Sequence, residues 1–452
     1  MTKTACSEHN EAWQVHLPIS KPKRGFFAMK KVCVVGLGYI GLPTSAIFAN
    51  AGFEVVGVDV NEKVVQTLNT GEIHIEENGL PELVKKVVQE GKFRASLVPE
   101  KADVFIIAVP TPIHEDYTAN IDYVVDATKS IVPYLEKGNV VIVESTIPPR
   151  TMDDVVAPII REHGLDPEKD IYLAHCPERV LPGRILIELV ENTRIVGGVT
   201  KEAAKKAADV YRAIVKGEVI ETEAVTAEMS KLMENTFRDV NIALANELVK
   251  ISQRIGVDAH KVIELANKHP RVNIHLPGPG VGGHCLAVDP YFIIEKAKEE
   301  SPLIQTARRI NNSMPYFVVE QIQRMTAELA SPKVAIFGLT YKGNTDDVRE
   351  SPAIKIYELL KQHSRFEVRA YDPHVKQEQV SFPLSTLEEA VHGAHLVVVL
   401  ADHNEFKNMK AEDFAAMKTK VIFDTKNCVH LNDESITVYK IGNLYSVKAI
   451  QE

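Results

Sequence analysis

The chain has 452 residues, 45% hydrophobic and 25% charged, the balance of a soluble globular protein of two or three domains. Its net charge of -9, with no long block of Lys or Arg, argues against nucleic acid as the main partner, and no apolar run approaches a membrane span. The cysteines, Cys6, Cys33, Cys176, Cys285 and Cys428, show no CxxC pair and no metal-ligand spacing with His, which reads as a reduced, cytosolic protein without a metal site.

Residues 1–29 read as a disordered N-terminal extension. The segment is polar, carries Lys21, Lys23 and Arg24, and lacks the apolar core of a signal peptide. Translation starting at Met29 is a second reading of the same segment. Val32-Cys33-Val34-Val35 has the pattern of a buried parallel strand. It leads into Gly36-Leu37-Gly38-Tyr39-Ile40-Gly41, a helical stretch to Ala51, and a strand over Glu54–Val58 that ends at Asp59. A strand, a GxGxxG opening a helix, and an acid about 20 residues on make the full dinucleotide fingerprint. Gly36, Gly38, Tyr39, Ile40 and Gly41 are expected to hold a pyrophosphate at the helix N-terminus. Asp59 is expected to accept from the adenosine ribose, and Val60-Asn61 supply no Arg for a 2′-phosphate. The cofactor therefore reads as NAD rather than NADP.

Further strands are predicted at Asp103–Val109, Asn139–Glu144 and Ile171–Ala174. They run into Pro110-Thr111-Pro112, Ser145-Thr146-Ile147-Pro148-Pro149 and Cys176-Pro177-Glu178-Arg179. Loops at the carboxyl ends of such strands line the ligand crevice of an open α/β sheet. Thr111 and Thr146 are candidates to bond the nicotinamide ribose or a water. Glu178 reads equally as an acid–base group and as a solvated loop carboxylate.

A helix of about nine turns is predicted over Glu223–Ile255. Lys231, Asn235 and Arg238 share one stripe at i, i+4 and i+7, among Met229, Leu232, Met233, Phe237 and Val240. So long and apolar a helix reads as crossing a domain junction or a subunit interface. A helical stretch at Ala259–Asn267 runs into His269-Pro270-Arg271-Val272-Asn273. Next comes Gly278-Pro279-Gly280-Val281-Gly282-Gly283-His284-Cys285, continuing to Asp289-Pro290-Tyr291-Phe292, and then a helix over roughly Leu303–Leu329. A glycine-rich loop can wrap closely around a ligand. Cys285 at its end reads either as a nucleophile or as a small thiol in a structural turn. A second doubly wound unit begins at Lys333, with strands at Lys333–Phe337, Glu367–Tyr371, Leu396–Leu400 and Lys420–Phe423. Its first turn, Gly338–Gly343, is followed by a helix opened at Pro352. Lys342 and Arg349 suit a diphosphate or are plain surface charge.

An NAD site paired with a nucleophilic thiol fits oxidation of an alcohol through to an acid. The thiol traps the aldehyde as a thiohemiacetal, loss of a second hydride leaves a thioester, and water hydrolyses it. The motifs GLGYIGLP, VPTP, STIPP, CPER, KLMEN, GGHC with Asp289, and GLTYKGNTDDVRESP occur in that order. From about Lys30 onward the chain thereby resembles the nucleotide-sugar 6-dehydrogenase family, which includes UDP-glucose, GDP-mannose and UDP-N-acetylhexosamine dehydrogenases. The resemblance implies an α/β protein with two doubly wound Rossmann-like domains joined by a long central helix and a small helical middle domain. The corresponding division is an NAD-binding domain at 30–215, a central helical dimerisation and catalytic domain at 216–330, and a UDP-sugar-binding domain at 331–452. It also implies two NAD and one water consumed per sugar oxidised at C6, and a homodimer or higher homo-oligomer.

Matched to the family, Cys285 is the covalent thiol, and Lys231 and Asn235 hold the C6 oxygen and the transient oxyanion. Asp289 and Thr146 position a base water, and Glu178 serves thioester hydrolysis. The implied substrate set is Glu178, Arg179, Lys231, Asn235, Arg238, His269, Arg271, Gly282, Lys342 and Arg349. Val288 stands where glucose-type members carry a lysine. The segments KLMENTFRDVNIALANEL and HPRVNIHLPGPGVGGHCLAVDPYF are similar to the UDP-N-acetyl-D-mannosamine branch. UDP-N-acetylglucosamine is the second substrate reading and UDP-glucose the third; a two-electron hydroxyacid dehydrogenase is the reading from another reaction class.

Overall fold

The computed structural model describes residues 29–181 and 183–451. The expected N-terminal extension, apart from Met29, lies outside the described residues, as does Cys6. The chain divides into two compact units, one ending at Leu232 and the other beginning at Met233.

The first unit is built on β1 (Lys31–Val35), β2 (Glu54–Val58), β3 (Phe93–Ser96), β4 (Val104–Ile107), β5 (Val140–Val143), β6 (Tyr172–His175), β7 (Arg194–Gly198) and β8 (Val219–Glu223). They form one sheet in the order β3-β2-β1-β4-β5-β6-β7-β8. Neighbours are parallel except β6 and β7, which pair antiparallel at Ala174 with Gly198 and His175 with Gly197. The central strands are continuous apolar runs because both faces are covered. Side chains alternate between two cores: Val32, Val34, Val104, Ile106, Val140 and Ile142 enter one, while Cys33, Val35, Phe105, Ile107, Val141 and Val143 enter the other.

The second unit repeats the plan with β9 (Lys333–Phe337), β10 (Glu367–Tyr371), β11 (Leu396–Val399), β12 (Val421–Asp424) and β13 (Thr437–Lys440). Its sheet runs β10-β9-β11-β12-β13, parallel at every pairing. Val334, Ile336, Leu396 and Val398 fill one face, and Ala335, Phe337, Val397 and Val399 the other.

The long helix spans Ala224–Ile255, about 48 Å at the α-helical rise. Glu223 is the last residue of β8, so the helix begins one residue later than expected. The helix expected to reach Leu329 runs from Pro302 to Met325. Strand ends shift by a residue or two as well. Asp103 falls one residue before β4, and its carboxylate accepts from the Lys30 and Lys31 backbone N–H groups at 2.6 and 2.9 Å, pinning the start of β1. β3, β7, β8 and β13 are strands beyond those the sequence predicts. β8 is VIETE with its residues exposed or half-buried, and β13 is TVYK at the sheet margin, so neither carries the apolar run that marks a central strand.

Candidate active site

In the first sheet the strand order reverses between β1 and β4, the switch point where an open α/β sheet binds its ligand. Gly36 sits at φ 93°, and a Cβ there would lie 2.6 Å from the Ala108 carbonyl oxygen. A Cβ on Gly41 would lie 1.8 Å from the Gly36 oxygen, so the helix Gly41–Asn50 approaches the turn only with glycine there. A Cβ on Gly38 would meet nothing within 4 Å. That open side lies at a helix N-terminus, where backbone N–H groups favour phosphate, and the loop fits a pyrophosphate. Ile40 is the residue capping that helix, and Tyr39 beside it is exposed. Asp59 Oδ2 accepts from Leu37 N at 3.1 Å and Oδ1 from Asn61 N at 2.9 Å. The half-buried acid thus braces the glycine turn.

Thr111 and Thr146 are both half-buried. Ser145 ties their loops together: its Oγ accepts from Val109 N at 2.9 Å and donates to Val109 O at 2.7 Å. The far end of the Thr146 loop is fastened to the long helix. Glu228, 1% exposed on the long helix, accepts from Arg150 N at 2.6 Å and Met152 N at 2.9 Å. Burial pushes its carboxyl up to about 7 against the pull of those two N–H groups. A buried glutamate one turn before Lys231 carries no sequence signal of this role.

Glu178 is not a solvated loop carboxylate. Its side chain is 9% exposed, and its Oε2 lies 2.7 Å from Arg194 Nη1 in a pair where Arg194 is 4% exposed. The approach is an ion pair with poor hydrogen-bond direction, since Oε2 accepts no well-aligned donor. Arg194 also stacks on Tyr211, 5.1 Å from the ring centroid, and Tyr211 donates to Glu144 Oε1 at 2.7 Å. Burial raises the Glu144 carboxyl to about 7, with Arg194 opposing. The neighbouring Arg179 donates to the Thr193 carbonyl, so the start of β7 anchors both charged residues of the CPER loop.

Lys231 and Asn235 are each 7% exposed and occupy successive turns of the long helix. Arg238 lies at the exposed margin of that face, while Asp239, 0% exposed, continues it inward. In the second unit Asn235 Nδ2 donates to Asp289 Oδ2 at 2.6 Å. Asp289, 2% exposed, is the first residue of the helix Asp289–Lys296. Its backbone N–H donates to the Cys285 carbonyl at 2.8 Å, and that of Val288 donates to the same oxygen at 3.0 Å. Cys285 is thereby fixed one tight turn before the acid, with its side chain exposed. The PGPG segment is fastened to the long helix by Gly278 N donating to Asn246 Oδ1 at 2.9 Å.

The turn before the thiol leaves no room for side chains. A Cβ on Gly282 would lie 2.4 Å from the Glu350 carbonyl oxygen, and one on Gly283, at φ 82°, would lie 2.7 Å from the Tyr341 ring. Arg349 is exposed, its guanidinium bonded to both Asp347 oxygens at 2.8 Å. His284 Nε2 lies 3.4 Å from the same carboxylate. Lys342, His269 and Arg271 are exposed.

The other described cysteines are buried, and burial pushes Cys33 up to about 11 and Cys176 and Cys428 up to about 12. Exposure therefore separates Cys285 from them. Among the described residues, His374, His403 and Glu405 come within metal-ligating distance of one another. His403 has both ring nitrogens in use: Nδ1 accepts from Asn344 N at 2.9 Å, which leaves the proton on Nε2, 3.1 Å from Asp372. That set does not fit a metal.

Models of three domains match this chain in sequence order. They are the NAD binding domain of the UDP-glucose/GDP-mannose dehydrogenase family at residues 30–215, its central domain at 225–313 and its UDP binding domain at 335–431. The chain belongs to the UDP-glucose/GDP-mannose dehydrogenase family. Its cofactor is NAD, it is an oxidoreductase of nucleotide sugars, and it carries the family's UDP binding domain. The UDP-N-acetyl-D-mannosamine dehydrogenase of Methanocaldococcus jannaschii is 50% identical over 424 residues, covering 92% of this chain and 97% of that one. A solved UDP-N-acetyl-mannosamine dehydrogenase from Staphylococcus aureus is 56% identical with a TM-score of 0.86, covering 92% of this chain and 100% of that one. An NDP-N-acetyl-D-galactosaminuronic acid dehydrogenase of Ralstonia solanacearum is 45% identical, covering 88% and 96%. Among the described residues no helix is long and apolar enough to cross a membrane.

Proposed function

We propose that this chain oxidises the C6 hydroxyl of UDP-N-acetyl-D-mannosamine to the carboxylate, using two NAD and one water. The observation that carries the sugar is end-to-end similarity to relatives of that name, at 50% identity and above. NAD, when bound, accepts the hydride at each of the two oxidations. Gly36, Gly38, Tyr39, Ile40 and Gly41 hold its pyrophosphate, Asp59 its adenosine ribose, and Thr111 and Thr146 its nicotinamide end. The Cys285 thiol adds to the C6 aldehyde to give a thiohemiacetal, and the second oxidation leaves a thioester on the same sulfur. Water adds to the thioester carbonyl and passes a proton to Glu178; the C–S bond then breaks and returns the Cys285 thiolate. Lys231 and Asn235 hold the C6 oxygen and the oxyanion, and Asp289 with Thr146 orients the base water. Lys342 and Arg349 take the diphosphate. Arg179, Arg238, His269, Arg271 and the Gly282 backbone bind the rest of the sugar nucleotide.

The proposal keeps the division into 30–215, 216–330 and 331–452, a cytosolic location from the cysteine usage, and a homodimer. The dimer is supported by an exposed apolar row, Met233, Phe237, Leu244, Ile251 and Ile255, along the long helix. A panel of UDP- and GDP-sugars with NAD, read as NADH formed per sugar, tests the function. Two NADH per UDP-N-acetyl-D-mannosamine, with UDP-glucose poor, is the expected result. Comparable efficiency with UDP-glucose overturns the sugar assignment, preference for UDP-N-acetylglucosamine or an N-acetylgalactosamine nucleotide moves it, and one NADH per substrate overturns the four-electron reading.

A further inference from the structure

Within the second unit, three helices are joined by a closed ring of polar contacts around the Cys285 turn, buried except between Tyr291 and Asn312. The long helix reaches the helix Asp289–Lys296 through Asn235 and Asp289, 2.6 Å apart. That second helix reaches Pro302–Met325 through Tyr291, whose hydroxyl accepts from Asn312 Nδ2 at 2.8 Å. Pro302–Met325 returns to the long helix at Asp239, one turn from Asn235. Arg308 Nη1 donates to Asp239 Oδ1 at 2.6 Å, and Asn311 Nδ2 donates to the same oxygen at 2.8 Å.

Arg308 is the member of this ring that also reaches the turn. It is 3% exposed. Its Nη2 donates to Asn312 Oδ1 at 2.6 Å, its guanidinium stacks 5.4 Å from the Tyr291 ring centroid, and Nη1 reaches the carbonyl of Leu286, the residue after Cys285, at 3.4 Å. A planar fork suits contacts made in several fixed directions at once, which a lysine ammonium cannot reproduce. We propose that Arg308 is a positioning residue that fixes the Cys285 turn relative to the Asn235–Asp289 pair. The proposal rests on the reading of Cys285 as the nucleophile. A misplacement of about 1 Å between reacting groups costs roughly 100-fold in rate, so loss of this brace should act on turnover more than on substrate affinity.

Removing Arg308 alone leaves Asp239 buried without its counter-charge. The test therefore uses Arg308→Lys, which keeps the charge, and the double variant Arg308→Met with Asp239→Asn, which removes both charges. Each is compared with the parent in melting temperature, in kcat and KM for the sugar nucleotide the panel identifies, and in the pH profile of Cys285 carbamidomethylation by iodoacetamide, read on the Cys285 peptide. The expected result is a fall in kcat of roughly 10- to 100-fold, KM within about threefold, and an altered alkylation rate or midpoint at Cys285. A merely structural role lowers the melting temperature but leaves the alkylation profile and kcat per folded molecule unchanged. Parental kcat and alkylation in the double variant overturn the proposal. Cys285→Ser, run in parallel, separates the two failures: if it keeps two-NADH turnover, the nucleophile reading falls, and if it is inactive while both Arg308 variants are parental, only the positioning role falls.

Discussion

Glu228→Gln should change how the stability of the first unit depends on pH. The parent carboxyl is 1% exposed, and burial raises it from the ordinary 4.5 to about 7. A carboxyl held above its unfolded value stabilises the fold most below pH 4.5, where both states are protonated. That contribution is lost as pH rises through the folded value, because the unfolded chain ionises freely while the buried group resists. At 1.36 kcal/mol per tenfold change in proton affinity, the parent should lose roughly 2–3 kcal/mol between pH 5 and pH 8.5 through this one group. A glutamine stays neutral, so the variant lacks that loss. For a unit of about 200 residues, 1 kcal/mol shifts Tm by about 2–4 °C, so the parent-minus-variant difference should move by roughly 5–10 °C across that range, in favour of the variant at high pH. The difference is the quantity to read, because other titrating groups act on both proteins alike. Melting curves at half-unit pH steps supply it, and the transition that moves identifies the first unit, since chains of two units need not unfold in one step. Parallel Tm–pH curves would falsify the reasoning and show that Glu228 is ionised at little cost, its two backbone donors having replaced its hydration.

Gly38→Ala should leave Tm within about a degree, because a Cβ there meets nothing within 4 Å, yet raise KM for NAD by at least roughly 10-fold as the methyl enters the pyrophosphate's space; unchanged KM would remove the loop from the cofactor site. NAD should be strongly preferred over NADP through Asp59, and equal kcat/KM for both would refute that role. Cys285→Ser should yield no free acid at the parental rate, stalling at the aldehyde or at an ester on the enzyme, because serine is the weaker nucleophile and an oxygen ester hydrolyses more slowly; intact-protein mass and NADH counts read this.

The elements legible in the sequence were those whose signal is local. KVCVV and VFII are apolar throughout because both faces of their sheet are covered. The glycine turn was legible because its residues lie within six positions, although what crowds Gly36 is the distant Ala108 carbonyl. The bracing of the site was not. Arg308 and Asp239 stand 69 positions apart, and the CPER loop is anchored by the start of β7, a strand whose RIVGG sequence gives too short an apolar run to read. The stripe Lys231, Asn235, Arg238 was legible as helix periodicity, yet periodicity alone could not separate the two buried members from the exposed Arg238. Burial depends on what packs against the face, and that is non-local.

The same limit explains why two sheets with one ancestral-looking plan take different work. In the first unit Gly36 N donates to Val58 O at 2.8 Å and Leu37 N to the Asp59 carboxylate at 3.1 Å. In the second, Gly338 N donates to Tyr371 O at 2.9 Å and Leu339 N to the Asp372 carboxylate at 2.6 Å. Each acid closes the turn that follows the first strand, so the local sequence looks alike. Their surroundings differ. Asp59 is half-buried, so part of it remains open to solvent. Asp372 faces His403 at 3.1 Å with both side chains 0% exposed, and burial, which would raise its carboxyl, is outweighed by His403 and the backbone donors that hold it below the usual range. A ribose reaching Asp372 would have to displace a buried imidazole that already satisfies it. The second turn also reads Gly338-Leu339-Thr340, with a threonine where the first has its open glycine. Thr340 is 1% exposed and its hydroxyl donates to the Lys342 carbonyl at 2.8 Å, so a side chain and its hydrogen bond fill the place where Gly38 leaves the first turn open. The dinucleotide belongs to the first unit for these reasons, and the second unit carries the family's UDP binding domain instead.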